Sequence, residues 1–99
     1  MISLEMKIGF VLAKARNLVY YASIDSRPRV TYIHIVRELR KDLKKVLSEF
    51  PVPENKEYKI LHSMFLEIIR SINSKIKSSE CKSYILETLA PILDRYEKY

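Results

Sequence analysis

The sequence predicts an all-α fold, a four-helix antiparallel bundle forming a single domain over residues 1–99, from three observations. Only one glycine, Gly9, occurs in the chain, and there is no Asn-Gly or Asp-Gly pair, which argues against a sheet with tight hairpins. Apolar residues recur at three- and four-residue steps in four stretches. Breaker clusters at residues 23–29, 51–53 and 78–79 separate those stretches. The connections are short, which favours antiparallel neighbours and an up-and-down arrangement.

The first helix is expected over residues 3–22, with Leu4, Ile8, Val11, Leu12, Ala15, Leu18, Val19 and Ala22 on its inner face. Gly9 costs this helix about 1 kcal/mol relative to alanine, and close packing against a neighbour would explain it. The second helix starts at Pro28, because proline suits the first helical position while pushing Arg27 out of helical conformation. It carries a stripe of Ile33, Val36, Leu39, Leu43, Val46, Leu47 and Phe50, and Pro51 and Pro53 end it. The third, residues 54–77, is the most apolar: its hydrophobic arc from Tyr58 to Ile76 covers more than half the circumference. Such a helix needs neighbours on two sides and belongs at the centre. The fourth begins after Ser79 as N-cap, buries Cys81, Tyr84, Ile85, Leu89, Ile92, Leu93 and Tyr96, and is kinked or broken near Pro91.

Ninety-nine residues with 47% apolar content suffice for one core and exclude intrinsic disorder. One cysteine excludes an internal disulfide, and one cysteine with two histidines argues against structural zinc; no metal or cofactor is expected. No apolar run approaches the roughly 18 residues of a membrane span, and residues 8–13 are too short for a signal-peptide core, so a cytoplasmic protein is expected. Abundant Lys, Glu and Ile, three asparagines and no glutamine form a hyperthermophile-like composition, although AT-rich coding bias also favours Lys and Ile.

Charge is the sharpest asymmetry. Residues 1–45 hold ten Lys or Arg against four acids, and residues 46–99 hold eight of each, so the whole net charge of +6 belongs to the first two helices and their loop. That imbalance points toward nucleic acid or another anionic surface. Two basic groups are candidates for binding DNA or RNA. One is a pole of Arg16, Arg27 and Arg29 with Tyr20, Tyr21 and Tyr32, where guanidinium forks meet phosphate and tyrosine stacks on bases. The other is a stripe of Arg37, Arg40, Lys41 and Lys44 within about 100° of arc, with Glu38, Asp42 and Glu49 on a different edge. The competing reading is a solvated face or half of an ion-pair network. No helix-turn-helix glycine turn, zinc-finger spacing or aromatic RNA-recognition motif supports sequence-specific reading.

No phosphate loop, nucleophile elbow or metal cluster suggests an enzyme or a small-molecule substrate. The carboxylate pairs Glu38/Asp42 and Glu54/Glu57 read as solvated polar faces. Cys81 reads as a small buried hydrophobe, His34 as a partly buried helix residue and His62 as a core-edge histidine. Arg29 and His34 form an Arg-x-x-x-x-His spacing, which resembles the motif of the HEPN ribonucleases. That resemblance implies RNA cleavage at a dimer interface, but it covers these two residues only. The sequence departs from the motif at Val30, where the family favours a polar residue. In style, the stretches Tyr58-Lys59-Ile60-Leu61 and Ile72-Asn73-Ser74-Lys75-Ile76-Lys77 resemble small proteins of archaeal filamentous and rod-shaped viruses, the lipothrixviruses and rudiviruses. The resemblance implies a protein of the infected host's cytoplasm and makes double-stranded DNA a natural partner; no site residue follows from it. The expected function is a non-enzymatic interaction module, with nucleic-acid binding ahead of a homodimeric protein-binding role suggested by Tyr20, Tyr21, Tyr96 and Tyr99.

Overall fold

The computed structural model describes residues 3–24, 32–49 and 56–97, and among these there are helices and no strand. Helix α1 spans Leu4–Ile24, α2 Tyr32–Glu49 and α3 Lys56–Ser71. The fourth helix is made of α4 (Ser78–Tyr84), a π turn (Ile85–Leu89) and α5 (Ala90–Glu97), with helical backbone at both junctions. The expected start of α2 at Pro28 and the stops at Pro51 and Pro53 lie outside the described residues, as does Phe50.

Cross-helix pairs fix the directions. Lys7 meets Glu49 and Lys14 meets Asp42, so α1 and α2 run antiparallel. Ser71 meets Tyr84 and Glu67 meets Arg95, so α3 and the fourth helix do the same. The predicted all-α antiparallel bundle is the fold observed.

Its centre is elsewhere than the sequence suggests. Helix α3 buries only Met64, Phe65 and Ile68; Ile60, Leu61, Leu66 and Ile69 remain partly open. The fourth helix instead packs against α1, α2 and α3, with Ile85 and Leu89 fully shielded. Charge content does not account for this, because residues 84–93 and residues 60–69 each include a single charged side chain, Glu87 and Glu67. The surplus apolar arc of α3 lines a cleft of about 460 Å³ with Leu12 of α1 and Leu93 and Tyr96 of α5.

The irregularity expected at Pro91 takes the form of the π turn. Proline lacks an N–H and crowds the carbonyl four residues earlier, here that of Glu87. Widening the preceding turn, so that the Ala90 N–H donates to the Ile85 carbonyl, carries the helix past the proline without a break. Helix α3 stops at Ser71, six residues short of expectation. Asn73 captures the backbone there: its side-chain oxygen accepts the Lys75 N–H at 2.9 Å and its carbonyl the Ile76 N–H at 3.0 Å. Ile72 and Ile76 are buried all the same, which is why their spacing reads as helix. The fourth helix opens at Ser78 rather than after Ser79, with the Glu80 carboxylate accepting the Lys77 N–H at 3.0 Å.

Gly9 is not a close-packing residue. It is exposed, and a Cβ built on it meets nothing within 4 Å. Replacing Gly9 by alanine is therefore expected to stabilise the domain by about 1 kcal/mol in urea unfolding; an unchanged or lower stability contradicts this placement.

Candidate nucleic-acid interface

Helix α2 has three faces. Tyr32, Ile33, Val36, Leu39, Leu43 and Val46 enter the core. A second edge carries Glu38, Asp42 and Glu49, and it faces α1. Lys14 Nζ lies 2.9 Å from Glu38 Oε1 and 2.7 Å from Asp42 Oδ2, and Lys7 Nζ lies 2.8 Å from Glu49 Oε2. The two carboxylates of Glu38 and Asp42 are thus clamped by one ammonium and are not merely solvated, as their pattern suggests. Hydrogen bonds to Asp42 and Glu38 raise the Lys14 pKa above its ordinary value, and the Lys7 hydrogen bond lowers that of Glu49.

The third face is the basic stripe. Arg37, Lys41 and Lys44 are exposed and Arg40 is half-buried, and no described carboxylate lies within ion-pair distance of any of them. All three acids of α2 are already bound to lysines of α1, so the positive edge is not neutralised from its own helix. Arg37 also sits near the start of α4. Burial pushes the Cys81 thiol above its ordinary value, and the Arg37 charge opposes that rise without cancelling it. Cys81 is fully buried and its thiol donates to the Lys77 carbonyl, as expected of a small core residue.

The other basic group does not assemble as drawn. Arg16 Nε is held by Glu97 Oε1 at 3.0 Å, and Arg27 and Arg29 lie outside the described residues. Tyr32 is 4% exposed and belongs to the core, so it cannot stack on a base. Its place on the apolar face of α2, in step with Val36 and Leu39, is the reason. Tyr20 and Tyr21 are exposed and stand edge to face, with ring centroids 5.6 Å apart. They project from α1, the helix that takes up α2's acids, and not from the stripe.

Arg29 falls outside the described residues, so the geometry of the Arg-x-x-x-x-His pair is not defined; His34 is exposed on α2 and not partly buried. His62 is half-buried at the core edge. Among the described residues no group of His, Cys, Asp and Glu is arranged to hold a metal ion, and no helix is long and apolar enough to cross a membrane.

One surface is anticipated by the sequence only at Tyr20 and Tyr21. Met6, Phe10, Tyr20, Tyr21 and Ile24 are all exposed on the outer side of α1. A second apolar run in four- and three-residue steps, back to back with the core stripe, is the signal that locates it.

No protein-family model matches the chain, and no curated protein or solved structure is significantly similar to it.

Proposed function

We propose that this protein is a non-enzymatic interaction module that binds nucleic acid through its phosphates, using the edge of α2 formed by Arg37, Arg40, Lys41 and Lys44. The observation that carries this reading is the division of labour on α2. Its acids are taken by Lys7 and Lys14, while the four cations on the opposite edge keep no carboxylate partner among the described residues. The stripe runs over about 10 Å of helix, at 1.5 Å per residue. Duplex phosphates follow one another at roughly 3.4 Å of axial rise per strand, so the edge matches a short run of them. Contacts of this kind position a protein on the duplex and do not read bases. Duplex DNA is the first probe, following the resemblance to the viral proteins.

Fluorescence anisotropy with labelled duplex DNA and RNA tests this. Four neutralised phosphates predict a log–log salt slope near −3.6 on duplex DNA, about a hundredfold loss of affinity between 50 and 200 mM salt, with little dependence on sequence. Changing all four residues to alanine should abolish that binding. No binding at 50 mM salt, or binding unaffected by the fourfold change, removes the proposal.

A further inference from the structure

The outer side of α1 carries a regular seam. Met6, Phe10, Ala13, Asn17, Tyr20 and Ile24 follow one another in steps of four, three, four, three and four, and all six are exposed. This is a heptad pattern: Phe10, Asn17 and Ile24 fall at a positions and Met6, Ala13 and Tyr20 at d positions. It runs the length of a helix whose opposite side, through Ile8, Val11, Ala15, Leu18 and Ala22, is fully committed to the core. An ordinary surface helix would place charges where this seam lies.

We propose that the α1 seam is the contact between two copies of this chain, packed as a parallel pair about a two-fold axis. Three observations favour a second copy over another partner. The first is the central Asn17. An amide carries both donors and an acceptor, so in parallel register Asn17 meets its own counterpart and each satisfies the other. A lone asparagine at an a position is a known determinant of two-stranded register.

The second is charge. The seam itself is uncharged, and the cations that flank it are already occupied: Lys7 by Glu49, Lys14 by Glu38 and Asp42, and Arg16 by Glu97. Two copies with a net charge of +6 each can therefore approach here without setting bare charges against each other.

The third is area. Phe10, Tyr20 and Tyr21 are 57–60% exposed, and aromatic side chains cover roughly 150–250 Å² each. With Met6 and Ile24 they offer about 600 Å² per copy, so a pair hides roughly 1,200 Å², the lower bound for a specific interface. The α2 stripe lies on the edge of α2 away from α1, so it stays open in the pair; the inference is independent of nucleic-acid binding.

Sedimentation velocity across micromolar to submillimolar concentration is the test. The expected result is a dimer that the double substitution Phe10→Glu and Tyr20→Glu weakens at least a hundredfold, with an unchanged helical circular dichroism spectrum. A separate Asn17→Cys variant should form an intermolecular disulfide on mild oxidation, because a-position Cα atoms of a parallel pair approach to about 6 Å. The parent chain, with Cys81 buried, should not. A monomer at every concentration overturns the proposal, including a monomer that binds anionic vesicles through the same face. So does a dimer indifferent to the double substitution, and absence of the Asn17→Cys cross-link overturns the parallel register.

Discussion

Replacing Phe65 by alanine is expected to cost about 3–5 kcal/mol of folding free energy, the largest loss from any single truncation among the described residues. Phe65 is 1% exposed and is the bulkiest of the fully shielded side chains, in a cluster with Leu39, Leu43, Ile68, Ile85 and Leu89. These residues come from α2, α3 and the π turn, so the cavity left by the ring opens in a core that three helices share. Domains of this size are stable by only about 5–15 kcal/mol. The variant should therefore show a much lower urea midpoint with an unchanged slope, and a measurable unfolded fraction on warming. Phe10→Ala is the control. The same ring on α1 is 57% exposed, and its loss should move the stability of the isolated chain by no more than about 0.5 kcal/mol. A Phe65→Ala loss under 1 kcal/mol would mean that the shielded cluster is not the packed centre.

That contrast shows how far the sequence is informative. The inner stripe of α1 and that of α2 were legible because each is bounded by charged residues at helical spacing, and burial follows the period residue by residue. The centre of the bundle was not legible. Apolar content ranks α3 first, but burial depends on how many neighbours each part of the arc meets. Interruption by charge does not separate the two helices either, since residues 60–69 and 84–93 each hold one charged side chain. The end of α3 was lost for a local reason: Ile72 and Ile76 keep the period of a helix while Asn73 turns the backbone. The site divides in the same way. That Arg37, Arg40, Lys41 and Lys44 occupy a different edge of α2 from its acids follows from angles alone, with Lys45 falling on the acidic side. That α1 consumes the acids required knowing which neighbour α2 turns toward them, which no periodicity records. Tyr32 and Tyr20 look equivalent as aromatic residues beside the first loop, yet one fills the core and the other faces outward.

Arg40 sets stability and charge against each other within one side chain, and replacing it by methionine should separate the two. Its Nε is shut off from solvent with no hydrogen-bond partner among the described residues, whereas its neighbours on the stripe, Arg37, Lys41 and Lys44, are exposed. A buried donor left unpaired costs about 1–3 kcal/mol, and methionine fills similar volume with a flexible apolar chain. Arg40→Met is therefore expected to stabilise the domain by at least about 1 kcal/mol, raising Tm by roughly 4–8 °C for a chain of this length. The same change removes one cation from the stripe. On duplex DNA the log–log salt slope should become shallower by about 0.9, with weaker binding at low salt. The opposed signs matter more than either magnitude. Polar groups that burden folding persist where something outside the fold uses them, so a variant more stable yet weaker in binding would tie the strain at Arg40 to the stripe's purpose. A variant that gains stability and binds as well as the parent would instead confine the phosphate contact to Arg37, Lys41 and Lys44. One that loses stability would show that the guanidinium stem packs better than its unpaired nitrogen suggests.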